Sequence, residues 1–448
     1  MARAAERKRL LLLLPAARRL AWHDRLLAAL ALRHDVTCAA GTAPTGAADL
    51  VIDLSEQDGG HAGPMLRPLY DGSPDTAALA GRLQRGGCPL LDVVDGDGRV
   101  LASSLAAIGD SGRLEGQLEL ALARVEALLL RALAGEGAPL ANRPVRTPVK
   151  YSAVRQLKAK ARRLAARLTA PLRRAGPVKH WNIALRESDL PPDVRHFDLA
   201  AYAPLAVDPS TFYADPFVVE RDGRTFLFAE AYPYAAGKGH IVCADVGEGA
   251  AQRDFRTVLE RPWHLSYPFV FEWENETYLA PEASTHGGVE IYRATAFPWD
   301  WEPAHHLLPD WPLVDATIFE HEGRLWLLAG AASHGGSDWD ELFAWHAPAL
   351  AGPWTPHRLN PIKSDCRSAR PGGRPLRIGG RLLRPAQRCE RSYGEALAWL
   401  EIRTLTPDAF DEVEVASWRA NGPGLSGPHS ADLGTRLRAV DYRTLLEP

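Results

Sequence analysis

At 448 residues the chain has room for two or three domains, with a sizeable core. Its 46% hydrophobic and 24% charged residues exclude global disorder, and no run approaches the ~20 apolar residues that a spanning helix needs. A net charge of −3, from 52 basic and 55 acidic residues, excludes a dedicated nucleic-acid binder.

The N-terminal elements alternate. Leu10 to Leu14 reads as a buried strand: its apolar run is shorter than the roughly 7–15 residues of a secretory signal, and Arg18 and Arg19 follow at once. Ala16 to Arg33 has helical spacing at Leu20, Leu26, Leu27 and Leu30. Strands are predicted over Asp35 to Ala40, Ala48 to Leu54 and Leu90 to Val94, and an amphipathic helix over Leu114 to Leu133. This alternation predicts a small α/β, Rossmann-like domain over residues 1–140. Leu14-Pro15-Ala16-Ala17 stands where a Gly-rich turn would follow the first strand, so no nucleotide site is expected. The five cysteines (Cys38, Cys88, Cys243, Cys366, Cys389) are scattered and form no C-x-x-C. They suggest neither a disulfide framework nor a zinc ribbon, and a cytoplasmic setting fits.

A basic connector is expected over residues 141–177. From Arg143 to Arg186 there are thirteen Lys or Arg and no acid. A helix over Val154 to Leu172 places Val154, Leu157, Ala161, Leu164 and Leu168 on one face. One reading is peripheral contact with an anionic membrane or an acidic glycan. The other is a linker helix packing that face on a neighbour, which the lack of a Trp or Phe anchor favours.

From residue 208 onward a repeat sets in. Tyr213 to Glu230, Ser266 to Glu282 and Val314 to Gly330 each read strand, tight turn, strand, and align on Gly223, Asn275 and Gly323. Weaker copies turn at Gly380 and Gly434. A spacing of about 50 residues is the period of a four-stranded propeller blade. The fifth copy reaches Pro448 with only its inner two strands. Trp181 to Arg186 and about His196 to Leu205 can supply the outer two. The prediction is an all-β five-bladed propeller over residues 178–448, closed by strands from both ends.

In such a ring the start of each inner strand and the end of the second strand share one rim. The first position carries Asp215, Tyr267 and Asp315, with Arg370 near the fourth copy. The second carries Glu230, Glu282, Gly330, Gln387 and Asp441. Carboxylates converging on a funnel suit a sugar, whose hydroxyls want acceptors and whose glycosidic chemistry wants paired acids. The bland alternative is that these acids cap local turns. Trp263, His264, Tyr267, Tyr232, Tyr234 and Trp311 add aromatic faces nearby, equally suited to stacking on a sugar or to core packing.

Several stretches resemble known families: Ala214-Asp-Pro-Phe, His264-Leu-Ser-Tyr-Pro-Phe, Ala280-Pro-Glu, Val314-Asp-Ala-Thr, Gly352-Pro-Trp, Ala369-Arg-Pro-Gly-Gly, Arg384-Pro-Ala-Gln and Ser392-Tyr-Gly. Over roughly residues 178–445 the chain resembles the propeller domain at the N-terminus of plant glucosamine inositolphosphorylceramide transferases. More distantly it resembles the five-bladed propeller of glycoside hydrolase family 43. The hydrolase resemblance implies an inverting mechanism, with Asp215 as the base and Asp315 orienting the acid. Arg370 stands where that family has its acidic Glu, so Glu282 or Glu230 would have to supply the acid. His429 resembles the fifth-blade histidine near an axial divalent ion; no other cofactor is implied. Glu230, His264, Tyr267, Arg370, Gln387, Tyr393, His429 and Asp441 are the expected substrate-binding set. The first resemblance implies glycan or glycolipid assembly, a glycolipid headgroup or other carbohydrate as ligand, and a partner transferase. The strand–helix–strand around Leu10 to Ala40, with Trp22, resembles a degenerate formyltransferase domain. That family's Asn-x-His loop is missing, so formyl transfer is not expected. Three functions stay open: a glycosyl hydrolase or transferase-like enzyme, a non-catalytic glycan-recognition module, and a protein-interaction propeller.

Overall fold

The computed structural model describes residues 7–15, 20–40, 48–57, 63–109, 113–169, 178–205, 208–247, 254–283 and 285–446. The chain divides into two compact units, Met1–Ala170 with Ser333–Ser337, and Pro171–Ala332 with Asp338–Pro448. Among the described residues no helix is long and apolar enough to cross a membrane.

The first unit contains strands β1 (Arg9–Leu14), β2 (Asp35–Ala40), β3 (Leu50–Asp53), β4 (Met65–Tyr70), β5 (Leu90–Val94) and β6 (Val100–Leu105). They form one sheet in the order β2-β1-β3-β4-β5-β6. The pairings are parallel from β2 to β4 and antiparallel from β4 to β6. Helices α1 (Ala21–Ala31), α2 (Thr76–Leu83) and α3 (Leu114–Ala134) accompany it. Asp75 caps α2 by accepting the Ala77 N–H at 2.7 Å, and Gly135 at φ 73° ends α3. The helix expected from Ala16 begins at Ala21; Ala16 to Arg19 lie outside the described residues. Three elements escaped sequence reading. Pro68 interrupts β4, and Ser103 and Ser104 break the apolar run of β6. In α2, Gly81 interrupts the helical pattern because a Cβ there would run into the Val149 carbonyl oxygen.

The connector forms α4 (Ala153–Thr169); residues 170–172 of the expected helix, and the connector as far as 177, lie outside the described ones. Its Val154, Leu157 and Leu164 are 64%, 70% and 59% exposed, so the packing expected of that face is absent at these positions.

The second unit is a five-bladed propeller. Strands β9 (Thr211–Arg221), β10 (Arg224–Pro233), β11 (His240–Asp245) and β12 (Arg256–Leu259) form the first blade, counted from the axis outward. β13 (Ser266–Trp273), β14 (Glu276–Glu282), β15 (Val289–Ala296) and β16 (Asp300–Leu307) form the second. The third holds β17 (Leu313–His321), β18 (Arg324–Ala331), β19 (Glu341–Ala347) and a vestigial outer strand, β20 (Thr355–Pro356), with β21 (Lys363–Ser364) also on β19. The fourth holds β22 (Leu376–Ile378), β23 (Arg381–Arg388), β24 (Ala396–Leu405) and β25 (Phe410–Trp418). The fifth joins β26 (Ala431–Leu433) and β27 (Leu437–Leu446) to β7 (Val178–Glu187) and β8 (Ala203–Pro204). The closure expected from sequence is therefore the one found.

The turns explain the repeat. Asp222-Gly223, Glu274-Asn275, Glu322-Gly323 and Gly379-Gly380 all have φ between 50° and 78°, the doubly left-handed geometry of a tight hairpin. Only Gly and Asn sit at the second of these positions, where φ is largest.

Candidate functional site

In three successive blades the inner strand carries the same irregularity. Two residues of β9, Asp215 and Pro216, stand opposite Ala229 alone; Tyr267-Pro268 of β13 and Asp315-Ala316 of β17 repeat this. Asp215, Tyr267 and Asp315 have φ of 51°, 43° and 51°. A non-glycine residue held there costs on the order of 1–3 kcal/mol, and such strain gathers where a side chain must be aimed. The sequence placed these residues before the strand; they lie inside it, at a bulge.

The first of these bulges, at Asp215, faces a cavity of about 240 Å³. Asp215, Glu230 and Glu282 line it as acids; Arg370, His264 and His429 as bases; Trp181, Phe212, Tyr232 and Tyr393 as aromatics. The other expected site residues are buried without lining it. The Tyr267 hydroxyl lies 2.9 Å from Thr317 Oγ1 and accepts the Gly373 N–H at 2.9 Å. Asp315 accepts from Gln387 Nε2 at 2.7 Å. Asp441 accepts the backbone N–H groups of His429 and Ser430, at 2.9 and 3.0 Å. Trp263, Tyr234 and Trp311 are not in the lining: Trp263 stacks on His286, Tyr234 meets His180, and Trp311 packs on Trp345.

Two clusters divide the funnel. Arg370 donates to Asp315 at 2.7 Å, Asp338 at 2.8 Å and Glu282 at 3.2 Å, and its guanidinium lies over the Tyr393 ring. Burial works against its charge, yet Asp315 and the other acids outweigh that and raise Arg370 well above its ordinary value. Glu282 and Asp315 thus answer to a fixed cation. In the second cluster His429 Nδ1 lies 2.6 Å from Asp441 Oδ2, and Nε2 lies 3.3 Å from Asp215 Oδ1. Trp181 stacks on the imidazole at 4.0 Å. Burial opposes the imidazolium, but Asp441 and Asp215 raise His429 above its usual value. Burial pushes Asp215 up to about 7, with His429 opposing. Burial, reinforced by Asp215 and Glu282, raises Glu230 well above the carboxylate range.

Asp215, His429 and Asp441 offer donor atoms within 4.8 Å of one another, a spacing a divalent ion can bridge. An ion would need a neutral imidazole with a lone pair turned toward it. Both ring nitrogens face carboxylate oxygens. The same set also suits a protonated His429 held between two carboxylates.

Sequence reasoning passed over Trp181, Phe212 and Asp338. Trp181 sits on the third strand of its blade, where no rim position was assigned. Phe212 lies three residues before Asp215, and Asp338 in a loop between strands. A direct alignment of blade-end loops was the signal available for Asp338.

The family model described as glucosamine inositolphosphorylceramide transferase 1, N-terminal, matches residues 171–445. The glucosamine inositolphosphorylceramide transferase 1 of Oryza sativa subsp. japonica is 38% identical over 211 residues, covering 46% of this chain and 28% of the rice protein. The Arabidopsis thaliana protein of the same name is 37% identical over 216 residues, with the same coverage. The match thus spans little more than a quarter of the length of these relatives. Among solved structures, a thermostable family-43 glycoside hydrolase is 15% identical, covers 49% of this chain and 78% of its own, and has a TM-score of 0.36.

Proposed function

The chain belongs to the family of the glucosamine inositolphosphorylceramide transferase 1 N-terminal domain, and from that premise we propose a carbohydrate-active protein of glycan or glycolipid assembly with a sugar seated in the propeller funnel. The observation that carries this is the meeting of Asp215 and Glu230, both buried, with the aromatic faces of Trp181, Phe212 and Tyr232 in one cavity. Aromatic faces suit the C–H faces of a sugar ring, and the acids suit its hydroxyls.

The two acids also suit glycosidic chemistry. Asp215, titrating near 7, takes the proton of an attacking water or acceptor hydroxyl. That oxygen bonds to the anomeric carbon as the bond to the leaving oxygen breaks. Glu230, whose carboxyl burial raises well above its ordinary range, gives its proton to the leaving oxygen. Arg370 supports Glu230 over Glu282 for the acid, because Glu282 is bonded to the guanidinium. The same bond favours a second reading, a recognition module that binds the sugar without turnover.

Saturation-transfer and anomeric-region proton NMR against oligosaccharides and glycolipid headgroups separate the two. Asp215→Asn is expected to abolish turnover or weaken binding at least tenfold with Tm within a few degrees. Loss of fold in this variant makes Asp215 a structural cap instead. New anomeric signals with the wild type alone mark an enzyme; transfer without turnover marks the module.

The basic helix extends the proposal to a cytoplasmic membrane surface, with a partner transferase supplying the donor chemistry. Six basic residues, Arg155, Lys158, Lys160, Arg162, Arg163 and Arg167, share α4 with the exposed Val154, Leu157 and Leu164. An exposed apolar stripe flanked by cations suits an anionic interface. The protein is expected to pellet with phosphatidylserine vesicles at low salt and not with pure phosphatidylcholine. Leu157→Asp with Leu164→Asp should abolish pelleting; retention by this pair refutes the contact. A Rossmann-like, formyltransferase-derived N-terminal unit completes the proposed organisation.

A further inference from the structure

Glu230, the acid of the proposed reaction, is 5% exposed, and among the described residues its buried Oε1 has no hydrogen-bond partner. His264 Nε2 faces that oxygen at 3.6 Å. On the far side of the same ring, Nδ1 accepts the Gly239 N–H at 2.8 Å. Gly239 O in turn accepts the Leu265 N–H at 3.0 Å, which ties the histidine's own segment to the glycine. Position 239 has no room for a side chain. A Cβ there would lie 2.6 Å from Glu230 Oε1 and 2.9 Å from His264 Cε1. The glycine therefore lets its N–H reach the ring while the ring reaches the acid. A nitrogen that accepts carries no proton, so a neutral His264 holds its single proton on Nε2, toward Glu230. Burial holds the ring below its usual value and so keeps it neutral.

We propose that His264 is the positioning residue of the acid: its Nε2–H donates to Glu230 Oε1, which leaves the acidic proton on Oε2 and aims it at the leaving oxygen. This rests on the reading of the funnel as a site of glycosidic chemistry. A carboxylic acid has one proton for two oxygens, and without a donor the proton can sit on the sealed one. A guanidinium here would favour the ionised acid by its charge; a neutral imidazole does not. The distance of 3.6 Å is long, as such bonds are before substrate closes them. When Glu230 gives up its proton, the Nε2–H bond becomes charge-assisted and strengthens. An interaction that grows as the leaving bond breaks raises the rate rather than the affinity. His264 keeps its own proton throughout. The proton of Glu230 passes to the leaving oxygen and that of the attacking oxygen to Asp215, so the step balances.

The test gives the full chain matched dinitrophenyl and methyl glycosides from a panel of hexoses and pentoses in both anomers. Dinitrophenolate leaves without a proton; methoxide does not. His264→Phe is expected to lower kcat/KM at least about tenfold on the methyl glycosides, a part of the ~10²–10⁴ that general acid catalysis supplies, and to spare the dinitrophenyl ones. His264→Gln, which keeps a donor and an acceptor, should recover most of the methyl-glycoside rate. An equal loss on both leaving groups, or no loss, makes His264 a packing residue and overturns the inference while the reaction stands. Turnover of the dinitrophenyl glycosides alone by the wild type means that no acid acts, and also overturns it. Turnover of neither class overturns both the inference and the enzyme reading. One measurement on the wild type covers a variant that does not fold. Long-range proton–nitrogen NMR of the histidines should show His264 protonated at Nε2 and bare at Nδ1 at neutral pH. The opposite tautomer, or an imidazolium, overturns the inference.

Discussion

Replacing Arg370 with Met is expected to destabilise the propeller by about 3–5 kcal/mol and lower Tm by on the order of 10 °C. Arg370 is 5% exposed and is bonded to acids delivered by three separate parts of the ring. Met fills the same space and keeps contact with Tyr393, so the loss measured is of charge. Without the guanidinium, Asp315 keeps the Gln387 amide but faces Glu282 with no cation between them. Removing one partner of a buried ionic cluster costs more than the cluster contributes, because the remaining charges stay buried. Arg370→Lys should fall between the two, since one ammonium cannot fork to three carboxylates. The sign with pH follows from Asp315. Burial already raises its carboxyl and Arg370 opposes that rise, so the variant's Asp315 sits higher still. An acid raised in the folded state destabilises once the pH exceeds its unfolded value, near 4, and most fully above its folded value. The deficit should therefore shrink as the pH falls toward about 4. Melting curves of the three proteins across pH check this. A Tm within two or three degrees of wild type would mean that the acids are protonated or hydrated without Arg370.

The ring was legible because its determinants are local. A hairpin needs left-handed residues at a fixed place, and Gly223, Asn275, Gly323 and Gly380 advertise it. The closing strands were legible from bookkeeping: an inner hairpin at the C-terminus leaves two outer strands owed by the start of the domain. The site was legible only as a list. Arg370 draws its partners from 55, 32 and 88 residues away in sequence, and nothing local says that one cation will hold Asp315, Asp338 and Glu282 together. The bulges are equally silent, since Asp-Pro, Tyr-Pro and Asp-Ala share no residue type that demands φ near 50°. Geometry also divided an apparently uniform set of rim acids. Glu230 and Glu282 occupy equivalent positions in adjacent blades, yet one lies against a guanidinium and the other against a neutral imidazole. In the first unit, propensity hid β4 and β6 behind Pro68 and the two serines, and burial in the sheet overrode it.

Deleting residues 178–207 is expected to leave no folded propeller at all. β27 makes ten register pairs with β7 and only three with β26, so the deletion removes most of its ladder. It also strips the seam of the ring. Ile183, Leu185 and Leu205 pack in one cluster with Val218, Leu227 and Ala229 of the first blade. Fully burying each of the two leucines and the isoleucine contributes about 1.5–3 kcal/mol, and losing all three approaches the whole stability of a typical domain. Some ties between the blades would remain, notably Asp432 accepting the Val218 N–H at 2.8 Å. They cannot offset the open edge left along β27, which invites pairing between chains. Loss of cooperative melting and rapid proteolysis of the second unit are the expected readouts. A rearranged chain that carries residues 178–205 after residue 446 should regain the melt, because β7 needs to reach β27 and not to precede β9. A deletion variant that melts cooperatively near the wild-type temperature would show that four blades close without the fifth, and that the seam is not where the ring is held.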